Sequence, residues 1–298
     1  MKQEPHMHHY IPQFIIKNFS EKRDGFIWFY NKNSNEISLK HSSEIFVSKD
    51  LYWDSVNNPS DPGKIEKDLG IFEGEISEIV NKLLTGNDIT ISCEESEKIK
   101  YYFSLMGFKS LTAGRLFNKK LSKESKEFYS FYQEDGSFTD FWKRNLGYLV
   151  NCRSIEEVVL HDKIDEPVKA FMTRDAFGTF GLYLIVCERR GKEDFFLSDA
   201  YPISFDGTLP DETKMLMYHI APISPKRVLI IAARGIDGAP LSERVFDDDI
   251  LKMPFIHNGK VRIRVKKIYQ DTVEWINSEI DAHSHEIAFL DKDKFAIR

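Results

Sequence analysis

Hydrophobic and polar positions follow two different periods along this chain, and the changes of period divide it into three stretches. Phe26-Ile27-Trp28-Phe29-Tyr30 and Glu36-Ile37-Ser38-Leu39-Lys40 are aromatic or alternating runs, and Asn31-Lys32-Asn33-Ser34-Asn35 between them is turn chemistry, which predicts a β-hairpin. A short run, Glu44-Ile45-Phe46-Val47, leads into Lys49-Asp50-Leu51-Tyr52-Trp53, and Asn57-Asn58-Pro59-Ser60-Asp61-Pro62-Gly63 then breaks regular structure. From Lys64 the period lengthens. Ile65, Leu69, Phe72, Ile76, Ile79, Val80 and Leu83 recur at three- and four-residue steps, predicting one helix that ends near Gly86. Ser92 followed by Glu95 is a capping-box pattern, so a second helix starts there and carries Ile99-Lys100-Tyr101-Tyr102-Phe103. Lys123 to Trp142 predicts a third helical region, interrupted at Glu134-Asp135-Gly136-Ser137.

After about residue 165 the pattern returns to strands: Phe180 to Cys187, Asp194 to Leu197, Lys214 to Ile220, Arg227 to Ala233, and Val261 to Val265. A helix from Tyr269 to Ile280 and a strand Glu286 to Leu290 close the chain. Helices segregated from strands predict an α+β fold with an N-terminal β-hairpin module over 1–60, a helical region over 61–165, and a C-terminal, mostly antiparallel sheet with flanking helices over 166–298. The three are expected to pack as one compact unit.

Composition narrows the function classes. With 298 residues, 42% hydrophobic and 30% charged, the chain has enough apolar surface to offset its conformational entropy, which excludes disorder for most of its length. No apolar run is long enough to span a bilayer and Met1-Lys2-Gln3-Glu4-Pro5-His6 lacks the apolar core of a secretory signal, so no membrane partner is expected and the cytoplasm is the expected compartment. Cys93, Cys152 and Cys187 are odd in number and far apart, which argues for inert thiols over disulfides or a metal knuckle. A net charge of −6 disfavours a general nucleic-acid coat while leaving room for a local basic strip. The absence of GxGxxG and GxxxxGK[ST] leaves no support for a nucleotide cofactor, and no GxSxG precedes a helix.

The densest chemistry is at the start, where His6, His8 and His9 fall within four positions of His6-Met7-His8-His9-Tyr10-Ile11-Pro12-Gln13-Phe14. Imidazole is the commonest neutral metal ligand and titrates near neutral pH, so such a cluster can hold an ion or move protons; on an extended segment His6 and His8 share a face and His9 takes the other. A structural role for at least one of these histidines is the competing interpretation. His8-His9-Tyr10-Ile11-Pro12-Gln13-Phe14-Ile15-Ile16-Lys17-Asn18-Phe19 resembles the opening signature of the bacterial family known as domain of unknown function 4238. Ile65-Glu66-Lys67, Phe72-Glu73-Gly74, Ala221-Pro222-Ile223-Ser224-Pro225, and Leu197-Ser198-Asp199-Ala200-Tyr201-Pro202 agree with it, the last with one inserted residue. The resemblance spans most of the chain and implies a shared fold and a set of suspect residues, but no reaction.

His8, His9, Glu66, Glu73 and Asp199 together supply nitrogen and oxygen donors of the kinds that bind Zn²⁺, Mn²⁺ or Mg²⁺ and lower the pKa of a bound water. Glu66 and Glu73 stand two helical turns apart, about 10 Å along the axis, so one of them is expected to orient a histidine rather than ligate the same ion. Each carboxylate also has a plainer role open to it, as a solvated ion-pairing residue or, for Asp199, as a cap on its own turn. The HHxxP arrangement is weakly similar to the core of HNH-type nucleases, without the downstream spacing of that fold. Lys260-Val261-Arg262-Ile263-Arg264-Val265-Lys266-Lys267 holds five cations and no acid, and alternation places Arg262, Arg264 and Lys266 on a solvent face able to contact phosphates; a charged edge strand is the alternative. His283 and His285 form a same-face pair if extended and could add ligands, but a polar helix-to-strand loop is the expected setting. The expectation is a metal-assisted hydrolase of phosphodiesters, a nuclease serving as a toxin or in antiphage defence, with His8, His9, Glu66 and Asp199 at the reaction, His6 and Glu73 as further ligands, and nucleic acid as partner. Its rival is a non-catalytic binding or regulatory module. Oligomeric state is left open by the sequence.

Overall fold

The computed structural model describes residues 7–20, 24–110, 138–179, 183–208, 214–232, 245 and 256–295. It shows an α+β architecture. A hairpin of β2 (Phe26–Asn31) and β3 (Glu36–His41) forms as the alternation predicts, with Phe26 opposite His41 and Asn31 opposite Glu36. Its turn is set by side-chain chemistry: Asn31 Oδ1 accepts the amides of Asn33 and Ser34, and Asn35 takes a left-handed φ of 54° that asparagine tolerates. Two strands from the other end of the chain complete this sheet, β7 (Leu197–Ser198) and β13 (Glu286–Phe289), in the order β3-β2-β13-β7.

Ahead of the hairpin, β1 (Met7–His9) pairs antiparallel with β4 (Val47–Lys49), placing His9 opposite Val47. Pro12 then opens a short α1 (Gln13–Lys17), whose Ile15 and Ile16 are buried. β1 is followed directly by this helix and does not form the ββα unit of an HNH site.

The predicted amphipathic helix is α2 (Lys64–Leu83), with all seven apolar stripe residues buried. β5 (Asp88–Ser92) leads into α3 (Cys93–Lys109), and the capping box is present in full: Ser92 Oγ accepts the Glu95 amide at 3.0 Å and the Glu95 carboxylate accepts the Ser92 amide at 2.9 Å. Of the third helical region, 123–137 lie outside the described residues, and the helix appears as α4 (Phe138–Leu149). Helix continues past residue 165, where strands were expected: α5 (Ile155–Leu160) is capped by Ser154, and α6 (Glu166–Thr179) carries Pro167 in its first turn, where a missing amide costs nothing.

The larger sheet runs β11 (Ile256–His257), β12 (Lys260–Ile268), β6 (Tyr183–Arg189), β10 (Arg227–Ala232), β9 (Lys214–Ser224), β8 (Ile203–Thr208), with β5 added to β12. Every residue of β10 is buried, which is why it reads as a continuous apolar run rather than an alternating one. All pairings in this sheet are antiparallel except that of β12 with β6. The basic strand β12 is therefore interior, not an edge. α7 (Gln270–His283) precedes β13. One apolar cluster, from Tyr10 through Phe72 and Trp142 to Ala288, draws on all three stretches of the chain. Arg227 ties helix to sheet by donating to the carbonyls of Leu83 at 2.9 Å and Gly86 at 2.8 Å and to Glu188 at 2.8 Å.

The capping box satisfies two helix-end donors at once, so Ser92→Ala is expected to lower the unfolding free energy in urea by about 1 kcal/mol with an unchanged denaturant slope. Equal midpoints for the two proteins would contradict that role.

Candidate functional site

Two i,i+7 pairs face one another across α2 and α3. Residues seven apart on a helix lie nearly on one line, so Glu66 and Glu73 share a side of α2, and Tyr102 and Lys109 share a side of α3. Between the helices, Lys109 Nζ lies 3.0 Å from Glu73 Oε1, and the Tyr102 hydroxyl donates to the same oxygen at 3.1 Å. The Lys109 side chain is fully buried, 0% exposed against 20% for Glu73. An ammonium without water needs a paired charge, which Glu73 supplies. The ring of Tyr52 adds a cation–π contact, its centroid 5.7 Å from Nζ.

The end of α3 is closed by side chains rather than by glycine. Tyr52 OH donates to the Lys109 carbonyl at 2.9 Å and Trp142 Nε1 donates to the Phe108 carbonyl at 2.9 Å, satisfying two of the carbonyls left over in the last turn. Tyr52 thus holds Lys109 twice, by its hydroxyl at the backbone and by its ring at the ammonium.

The histidine strand approaches this cluster from the N-terminal side. His8 is buried, and its Nδ1 accepts the Tyr52 backbone amide at 3.0 Å, which fixes the lone pair on Nδ1 and gives this residue a structural part. His9 is half-buried; its Nε2 lies 3.2 Å from the Ser42 carbonyl and 3.5 Å from the Gln13 side-chain amide. A carbonyl only accepts, so Nε2 carries the hydrogen in that contact and Nδ1 of neutral His9 is the basic nitrogen. His6 lies outside the described residues.

Burial and charge set opposite protonation tendencies in His9 and Glu66. Burial lowers the His9 pKa from its ordinary value; the Ser42 carbonyl and Glu73 act against that, and Lys109 and Lys17 reinforce it. Burial raises the Glu66 carboxyl to about 7; the negative charge of Glu73 pushes the same way, and Lys109 partly counteracts both. Near neutrality the cluster therefore presents an unprotonated imidazole and a carboxyl able to give up a proton, within the field of the Lys109–Glu73 pair. Burial likewise holds the Tyr52 and Tyr102 phenols well above their ordinary value, so both act as hydrogen-bond donors.

Of the residues expected at the site, His9 and Glu66 each come within electrostatic reach of Glu73, and His8 is joined to the Tyr52 backbone. Asp199 has another task. Its Oδ1 accepts the amides of His285 at 2.9 Å and Glu286 at 3.1 Å, and its own amide donates to the Glu286 carbonyl at 3.1 Å, so it fastens β7 to β13. Its partners are 86 and 87 residues away, neither its own turn nor the His9 cluster. On β12, Arg262 is exposed but forms a two-pronged pair with Asp88, and Lys266 donates to the Val245 carbonyl at 2.6 Å instead of facing solvent. The Arg264 side chain is outside the described residues. His283 ends α7 with Nδ1 at 2.8 Å from the Glu279 carbonyl. The three cysteines are unpaired, and burial pushes the Cys152 and Cys187 thiols up to about 11 and about 12 respectively, consistent with inert thiols.

Sequence reasoning missed Lys109, Tyr52 and Tyr102. Lys109 left one signal, a cation at the buried phase of an apolar helix stripe, in register with Tyr102 and Met106. The Tyr52 and Tyr102 hydroxyls left none, because their partners lie 57 and 29 residues away.

The model of the family described as Protein of unknown function (DUF4238) matches residues 7–294. No curated protein and no solved structure matches the chain. Among the described residues no helix is long and apolar enough to cross a membrane.

A carboxyl whose pKa is raised on folding contributes stability that is present below its unfolded value, 4.5, and lost as pH rises through about 7. The full shift corresponds to about 3 kcal/mol, and partial exposure of the side chain reduces this to about 2 kcal/mol. Glu66→Gln is accordingly expected to match the wild-type protein in urea stability near pH 5 and to exceed it by about 2 kcal/mol near pH 8. His9 is common to both proteins and cancels from the difference. A difference that does not change with pH would contradict the assigned state of Glu66.

Proposed function

The chain belongs to the family of unknown function whose model it matches, a description that assigns no chemistry, and from the site itself we propose that it is a hydrolase of phosphodiesters working by acid–base catalysis, with His9 as general base and Glu66 as general acid. The observation that supports this is the opposed titration of two groups that share the Lys109–Glu73 pair as neighbours: an imidazole lowered from its ordinary pKa and a carboxyl held at about 7. The buried Lys109–Glu73 pair carries no net charge and fixes the electrostatic surroundings of both groups. Nucleic acid is the proposed substrate, in a toxin or defence setting, and the cytoplasm is the proposed compartment, which suits a chain with three unpaired thiols.

A metal-assisted form of the same reading uses His9 and Glu66 as donors to Zn²⁺, Mn²⁺ or Mg²⁺, because Glu73 is already engaged by Lys109 and Tyr102. An ion there would displace the Glu66 proton and would stand against the Lys109 ammonium. We therefore favour the acid–base form. The rival is a binding or regulatory module in which the cluster is a structural polar network. It is favoured by how completely His8, Glu73, Lys109, Tyr52 and Tyr102 satisfy one another.

Hydrolysis of bis(p-nitrophenyl) phosphate and of single-stranded DNA separates these readings. The acid–base form predicts a bell-shaped rate profile on the acid side of neutrality, falling below the depressed His9 pKa and above about 7. It also predicts losses of about 10²- to 10⁴-fold on His9→Ala and Glu66→Gln, and a rate unaffected by chelator. Loss of activity with chelator and its return with a divalent ion would select the metal-assisted form. No hydrolysis above that of the doubly substituted protein would select the binding module.

A further inference from the structure

The turn after β6, the turn between β9 and β10, and the end of β12 meet at one end of the strands of the larger sheet. The Arg189 amide donates to the Lys226 carbonyl at 3.1 Å and the Arg190 amide donates to the Ile268 carbonyl at 3.0 Å, so residues dispersed in sequence become neighbours. Two of the cations gathered here are consumed internally: Arg189 pairs with buried Asp194 at 2.7 Å, and buried Arg227 pairs with Glu188. Arg190, Lys192, Lys226 and Lys267 remain exposed. Lys267 reaches Glu188 only at 3.6 Å, and among the described residues the other three have no ion-pair partner. With Glu188, Glu193, Asp194 and Asp271 as the acids and Arg189, Arg190, Lys192, Lys226, Arg227 and Lys267 as the cations, positive charge is in local excess on a chain whose overall charge is −6.

Tyr269 stands among these cations. It is 64% exposed, an unusual position for a large aromatic ring. Arg190 lies over it, with the guanidinium carbon 4.4 Å from the ring centroid and Nη1 donating to the Tyr269 hydroxyl at 2.8 Å. A planar cation and a planar ring held together in solvent offer a stacking platform to any nucleobase, and the surrounding lysines offer contacts to phosphates. The surface is remote from the acid–base cluster. Arg227, next to Lys226, binds the last turn of α2 at Leu83, whereas Glu66 is in the first turn, about 25 Å away along the helix axis.

We propose that Arg190, Lys192, Lys226, Lys267 and Tyr269 form a docking surface for single-stranded nucleic acid. The inference shares its ligand class with the hydrolase reading but none of its residues, so binding here does not depend on cleavage there. Four phosphate contacts give an expected slope of about −3 in a plot of log affinity against log salt concentration.

Binding of fluorescein-labelled oligothymidylate to the full chain, followed by anisotropy over a range of salt, tests it. The double variant Lys192→Ala/Lys226→Ala is expected to bind more weakly with a slope reduced in magnitude by about 1.4. Tyr269→Ala is expected to weaken binding about tenfold, and Tyr269→Phe, which keeps the ring, to retain it. His9→Ala should bind as the wild-type protein does, and the double variant should hydrolyse bis(p-nitrophenyl) phosphate at the wild-type rate, so this surface and the hydrolase reading can fail separately. Absence of salt-dependent binding, wild-type affinity in the double variant and Tyr269→Ala, or equal affinity for a duplex of the same length would each overturn the proposal.

Discussion

A fully buried lysine must be paid for by its surroundings, and much of the N-terminal half of this protein is arranged around Lys109. Its ammonium meets Glu73 and lies over the Tyr52 ring, and its carbonyl takes the Tyr52 hydroxyl. Removing one partner of such a pair leaves an uncompensated charge, a loss of about 3 to 5 kcal/mol, whereas the intact pair adds little net stability over an apolar substitute. The pair is thus better understood as fixing geometry than as holding the fold together. It locks α2 against α3, and through Tyr52 it draws in the loop after β4 and, by the Tyr52 amide, His8.

The same pair distributes charge among the neighbours. Glu73 is engaged by Lys109 and Tyr102, so the negative charge it carries raises the cost of ionising Glu66, which lies partly out of water two turns earlier. Lys109 works in the opposite sense on both Glu66 and His9, but burial outweighs it at Glu66 and reinforces it at His9. An acid and a base near neutrality follow from one buried ion pair and two partly buried groups, without any unusual residue.

What could be read from the chain was what its local pattern contained. The β2–β3 hairpin, the α2 stripe and the α3 capping box each depend on residues a few positions apart, and each forms as expected. The helix after residue 165 escaped because Glu166-Pro167 reads as a breaker unless the proline is recognised as belonging to a first turn. The site was half legible. Histidines and glutamates stand out by type, but the lysine that organises them looks like the last cation of a helix. Asp199 was drawn into the site by its chemistry, yet it caps two strands whose proximity no local pattern announces. The basic stripe of β12 shows the converse: Arg262 and Lys266 are taken up by Asp88 and a backbone carbonyl, while Lys267 joins Arg190, Lys192 and Lys226, which look scattered along the chain, near Tyr269.

The central claim is that the Glu66 carboxyl titrates near neutrality because burial, reinforced by the negative charge of Glu73, disfavours its ionised form more than Lys109 favours it. Isotope-edited NMR of the glutamate side-chain carboxyls across a pH titration tests it directly. The account predicts a midpoint near 7 for Glu66. A Glu66 midpoint at the ordinary glutamate value would contradict it.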